Sequence, residues 1–395
     1  MTPVPRLRAY AGPALLTYGF RPFFLFGAIY AGLTVLAWLP MFYGELEVAS
    51  TFAPIDWHVH EMLYGYLPAI VAGFLLTAIP NWTGRLPIQG TPLLVLFAVW
   101  LAGRVCVMLS VQVGWLAAAV VDAGFLVLLI AACVREIVAG KNWRNLRVIG
   151  MVTLLLAGNV AFHIEAHVRG HAEYGTRIGI AAIVLLLALI GGRIIPSFTR
   201  NWLARENPGR LPAQFGRFDS ATIALSAVAL ALWIAQPNGR LSAAVLLVAA
   251  LLNTVRLARW AGDRTWRDRL VLILHVGYGF VPLGFLLAGL SALDMIVASA
   301  AIHAWMVGAA GTLTLAVMTR ASLGHTGNAL IASPATQAIY AAIVIAALVR
   351  IGSSLEPGWS DWTLHIAAYA WAAAYLGFAA TFGPLLIRAK PGTSP

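Results

Sequence analysis

The chain is a succession of long apolar runs separated by short polar stretches. The runs fall at about 20–40, 55–80, 91–110, 114–138, 146–169, 175–199, 219–236, 241–260, 269–290, 294–319, 334–353 and 362–388. Each is long enough to cross the hydrocarbon core of a bilayer as a helix. The pattern predicts an all-α polytopic membrane protein of about twelve transmembrane helices, with 1–395 forming a single transmembrane domain. No soluble domain fits in the gaps. The longest inner loop, about 200–218, is rich in Arg, Pro and Gly, and the tail from Lys390 is expected to be disordered.

Charge tests the count. With both termini in the cytoplasm, nineteen Lys and Arg residues fall on inner segments, from Arg6 and Arg8 through the clusters at 135–147, 200–217 and 256–269 to Lys390. The outer segments hold four: Arg169, Arg177, Arg240 and Arg350. A missed or extra helix would scramble this positive-inside bias.

Composition supports the same class. The chain is 61% hydrophobic and 10% charged, against about a quarter charged in soluble domains. The net charge of +11 lies in short loops that set orientation, so nucleic acid is not the partner; the lipid bilayer is. Cys106 and Cys133 both fall inside spans and read as packing residues. The first run is long enough to stay as a helix, and no cleavable signal is evident.

The chain resembles itself in one respect. His60 is followed by Gly65 and Thr83-Gly84, and His303 at identical offsets by Gly308 and Thr326-Gly327. The sixth run ends Phe198-Thr199-Arg200, as the tenth ends Met318-Thr319-Arg320. Helices 2, 6 and 10 are four apart, which makes a three-fold repeat of four helices an expectation.

Histidine inside a span is costly and marks candidate chemistry. His60 and His303 precede their Thr-Gly by the same number of residues, so at ~1.5 Å per residue they share a depth. Two imidazoles at one depth suit the axial positions of a haem; a hydrogen bond across helices is the competing account. His58 is two residues from His60, on nearly the opposite face of a regular helix. It is a candidate metal ligand or an interfacial residue beside Trp57. His163 and His167 are four apart on one face, a spacing that suits copper or another transition metal. Both also fit a solvated rim. Glu61 and Glu165 are further candidate ligands or proton carriers. His275, in the inner half of helix 9, is a candidate cofactor contact or a structural hydrogen bond. Arg104 and Asp122 lie equally far from the turn between their helices. They read first as a buried ion pair, with Arg104 beside a haem propionate as the sharper alternative. Arg21 reads as an anchor at the inner headgroup boundary. No CxxCH motif is present, so any haem is held non-covalently.

Five stretches carry a family resemblance: Phe20-Arg21-Pro22-Phe23-Phe24, Trp57-His58-Val59-His60-Glu61-Met62, Gly73 to Ala78 (GFLLTA), Asn81-Trp82-Thr83-Gly84, and Val317 to Gly327 (VMTRASLGHTG). Together they resemble the NnrS proteins of the bacterial nitric oxide response. The resemblance implies a multi-pass inner-membrane protein containing haem b and copper. It would bind or turn over nitric oxide and protect against nitrosative stress. Nitric oxide reduction and removal of its products are both compatible with this, and no motif names the electron donor. Asn328 stands where the family commonly has Arg at the end of its inner motif. With that resemblance, His60 and His303 are the expected haem ligands, and His58, His163 and His167 the leading copper candidates. Twelve spans with inside termini also match a secondary transporter, here one exporting a metal or metal-nitrosyl species. The charged signature usual in a transporter's 2–3 loop is missing from Asn81-Trp82-Thr83-Gly84-Arg85.

Overall fold

The computed structural model describes Tyr10 and residues 12–389. Arg6, Arg8 and the tail from Lys390 lie outside the described residues. Twelve helices are long and apolar enough to cross a membrane, and no strand occurs among the described residues. They are α1 (Phe20–Phe42), α2 (Pro54–Thr83), α3 (Thr91–Met108), α4 (Trp115–Ala139), α5 (Leu146–Arg169), α6 (Tyr174–Glu206), α7 (Arg217–Ala235), α8 (Arg240–Ala258), α9 (Arg269–Ser291), α10 (Ala298–Thr326), α11 (Pro334–Leu355) and α12 (Ser360–Ile387). Every apolar run has its helix. The largest differences are at two helix ends: α10 continues past 319 to Thr326, and α6 past 199 to Glu206. Leaving the apolar layer does not end a helix; Pro208 and Gly209 follow the last turn of α6.

Two helices change pitch at the same place in their sequence. In α2, residues Pro54–His60 are α-helical, Glu61–Tyr66 form a π segment, and α geometry resumes to Thr83. In α10, residues Ala298–His303 are α-helical, Ala304–Gly311 form a π segment, and α geometry again resumes. Each π segment begins immediately after the histidine. The conserved offset to Thr-Gly within the chain also has a backbone cause. Gly84 and Gly327 have φ of 69° and 82°, the left-handed conformation with which helices commonly end.

The chain divides into two compact units. The first holds residues to Gly179 with Met318–Ala329 and the chain from Tyr375; the second holds Ile180–Val317 and Leu330–Ala374. In the first unit α2 is the inner helix: 83% of its most apolar stretch is buried, against 33% for α3 and α4. The exposed side chains of α3 and α4, such as Val95, Leu101, Leu116 and Val120, are those expected to face lipid tails. Arg21 is buried, and its Nη1 donates to the carbonyls of Leu386 and Arg388, both at 2.8 Å. It therefore caps the last carbonyls of α12, where a cation opposes the helix dipole.

The second unit is pinned by a polar network inside its helices. Arg256 of α8 is fully buried; its Nε donates to Asp219 Oδ1 of α7 at 3.2 Å. Its Nη1 donates to the Ala188 carbonyl of α6 at 3.0 Å and to the Tyr278 hydroxyl of α9 at 2.8 Å. Tyr278 in turn donates to Asn253 Oδ1, and Asn253 Nδ2 to Ser226 Oγ. One guanidinium thus ties four helices. Arg256→Ala leaves the buried Asp219 with Arg259, 3.6 Å away, as its remaining cation, and removes three buried bonds, which should destabilise the protein by about 1–3 kcal/mol. Thermal unfolding in detergent checks this, and Arg256→Met with Asp219→Leu should recover most of the loss.

Candidate metal centre

In the first unit, four helices bring their polar residues to one end of the bundle, the end that the charge distribution assigns to the outside. His60 is the last α-helical residue of α2 before its π segment. Asp122 lies two turns into α4, and Asn159 and His163 lie one turn apart near the end of α5. Arg104 is one turn from the end of α3. All five are buried, His60 completely.

The geometry converges on one carboxylate oxygen. His60 Nε2 is 3.2 Å from Asp122 Oδ2, and His163 Nε2 is 3.1 Å from the same atom. One ligand atom from each of His60, Asp122 and His163 lies within 4.8 Å of the other two. Rings close the space: Phe52 stands 5.0 Å from His60 and 5.3 Å from His163, and Phe162 5.2 Å from His60, between centroids.

His60 and Asp122 have further partners. The other ring nitrogen of His60, Nδ1, is 2.7 Å from Glu61 Oε1. Neighbouring residues of a regular helix point well apart; these two meet at the junction of α and π geometry. Arg104 Nη1 donates to both oxygens of Glu61 at 2.8 Å, and Arg104 Nη2 pairs with Asp122 Oδ1. Asn159 Nδ2 donates to Asp122 Oδ2 at 2.9 Å, with its Oδ1 3.2 Å from His60 Nε2. The Tyr30 hydroxyl donates to Glu61. Gly65 makes room for the clasp. A Cβ there would lie 2.5 Å from Arg104 Nη1, and its carbonyl accepts from Trp100 Nε1 at 2.9 Å.

These three residues, His60, Asp122 and His163, could hold a metal ion. Imidazole Nε2 pairs with a carboxylate suit a borderline transition metal. The carboxylate behind His60 is the usual device that fixes a ligating histidine's tautomer and direction. The charges point the same way. Glu61 and Asp122 against Arg104 sum to −1 with neutral histidines, and an uncompensated charge is expensive in lipid. One bound cation brings the sum to zero or above.

The chain matches the family described as "NnrS protein" over residues 14–390. It belongs to the NnrS family. No curated protein matches it. Membership makes it a multi-pass protein of the bacterial inner membrane with the family's haem- and copper-linked role in the nitric oxide response. The donor set in the first unit fits the copper part of that description: copper binds most tightly among the divalent first-row metals and accepts nitrogen and oxygen donors.

The remaining residues that the sequence singles out are placed as follows. His58 stacks on Trp38 at 4.2 Å. His167 shares a helix face with His163, but it is exposed and stacks on Trp115 at 4.1 Å, with 13° between planes. His275 Nε2 is 2.8 Å from the Thr199 hydroxyl of α6. His303 belongs to the second unit, so neither unit by itself brings it to His60. The Arg104–Asp122 ion pair is present, yet Asp122 does more than neutralise Arg104: its second oxygen is the focus of the histidines. Asn159 was not marked by the sequence reading, although it lies four residues before His163 and hence on its face. Asn159→Leu keeps the volume and removes both bonds. It should weaken metal binding about 10–100-fold, the usual cost of losing a residue that orients the ligands. Metal titration of the purified protein, with unchanged helical circular dichroism, checks this.

Proposed function

We propose that this NnrS protein holds copper between His60 Nε2, His163 Nε2 and Asp122, and haem b in its second unit with His303 as an axial ligand. It uses the two to bind or turn over nitric oxide. The observation that carries the copper assignment is the convergence of both Nε2 atoms on Asp122 Oδ2, 3.2 and 3.1 Å away, inside a buried group of net charge −1. His60 is given to copper alone because its Nε2 already faces Asp122, Asn159 and His163. Its Nδ1 is committed to Glu61. That surrounding suits a single ion.

His303 is the haem candidate for a different reason. Its Nδ1 lies 2.7 Å from the Ser299 carbonyl, which can only accept. Nδ1 therefore carries the proton and Nε2 the lone pair, the tautomer that an iron ligand needs. When bound, the metals would supply the nitric oxide affinity and the electron exchange. The chain supplies the fixed imidazoles, the charge balance and a dry enclosure.

Purified protein from copper- and haem-replete cells should carry about one copper per chain, as the count of this donor set implies. It should also show a Soret band that moves on nitric oxide addition. Copper should be lost in His60→Ala and His163→Ala and kept in His58→Ala and His167→Ala. The Soret band should be lost in His303→Ala with copper retained. Full copper in both His60→Ala and His163→Ala would refute the assignment.

A further inference from the structure

Arg350 lies in α11, five residues before its end at Leu355, and is half-buried. Its Nη1 donates to Ser354 Oγ at 2.8 Å. No carboxylate among the described residues lies within 4.0 Å of it. Of the three buried arginines described above, Arg104 meets Glu61 and Asp122, Arg256 meets Asp219, and Arg21 meets the carbonyls at the end of α12. A serine hydroxyl satisfies one N–H but brings no charge, so the described residues leave this half-buried guanidinium near the end of α11 without a counter-anion.

The surroundings show what completes it. Ser354 Oγ lies 3.1 Å from Ser299 Oγ, and Ser299 Oγ lies 3.0 Å from His303 Nδ1. A chain of two serines therefore links the Arg350 guanidinium to the imidazole whose Nε2 bears the lone pair. The α2–α3 pair of the first unit has the same order of parts. A histidine there precedes a π segment, and an arginine lies about one turn before the end of the next helix. There the residue after the histidine is Glu61, which accepts from Arg104; here the residue after His303 is Ala304. The protein's own acid is missing at the position where the first unit supplies it.

We propose that Arg350, supported by Ser354, is a binding residue for a carboxylate of the haem that His303 ligates, the ligand itself bringing the missing acid. Haem carries both functions that the pair demands: an iron for the ring nitrogen and peripheral propionates for the guanidinium. A charge-assisted, bidentate arginine contact is the strong form of such recognition. The inference rests on the reading of His303 as a haem ligand.

The test titrates haem-free full-length protein in detergent with haem and with haem dimethyl ester, whose carboxylates are masked. The wild type should bind haem about tenfold or more tightly than the ester, a preference equivalent to one charge-assisted contact. Arg350→Gln should bring the two affinities together, and Arg350→Lys should keep part of the preference. Copper content, held in the other unit, reports that the variants are folded. An undiminished preference in Arg350→Gln, or no preference in the wild type, overturns the proposal while leaving haem binding in place. If the wild type binds neither, the haem reading falls with it. If Arg350→Gln instead loses co-purifying anionic lipid in native mass spectrometry and keeps its haem preference, the guanidinium serves a lipid phosphate and the proposal is overturned.

Discussion

The first unit depends on how one guanidinium is satisfied inside a membrane. Arg104 spans two carboxylates, Glu61 on the histidine-bearing helix and Asp122 on the next but one. In water such a clasp is worth little. In lipid, no group in it can be left unmatched, so the positions of α2, α3 and α4 are specified together. The clasp also over-fills itself: two negative charges face one positive charge. The surplus sits on the oxygen toward which His60 and His163 turn. The interaction that fixes the helices thus also creates the demand for a cation.

The π segment of α2 connects this electrostatics to the backbone. It inserts where His60 and Glu61 must act on the same site, which consecutive residues of an α-helix do not normally do. π turns mark functional positions in many helices, and here the reason is visible in the contacts. The second π segment follows His303 in α10, next to a guanidinium that lacks an acid. The two units use one local plan with different charge arithmetic. In the first the protein provides the anions and a cation is wanted; in the second the protein provides the cation.

Much of the fold was legible in the sequence because apolar run length and positive-inside charge are direct consequences of the bilayer. All twelve runs became helices. The misjudged boundaries, the ends of α6 and α10, are ones where the helix outlasts the apolar layer. The site was legible only in part. His60 and His163 stood out because histidine is rare in spans. His167 looked equivalent to His163 by spacing, and only the tertiary structure sets the two apart, with His167 exposed and stacked on Trp115. Asp122 was found as a charge partner and not as a focus, since spacing along the chain does not show which oxygen remains for a neighbour. Asn159 carries no charge and drew no notice, though it touches both His60 and Asp122. The π segments have no compositional signature at all.

NnrS membership gives the chain its haem- and copper-linked role at the inner membrane, and the central claim is where the copper sits. Pulsed electron paramagnetic resonance of the oxidised protein tests it most directly, by counting the imidazoles coupled to copper. The account predicts two in the wild type and loss of the copper signal in His163→Ala. A wild-type signal with no imidazole coupling, or a His163→Ala signal identical to it, would contradict it.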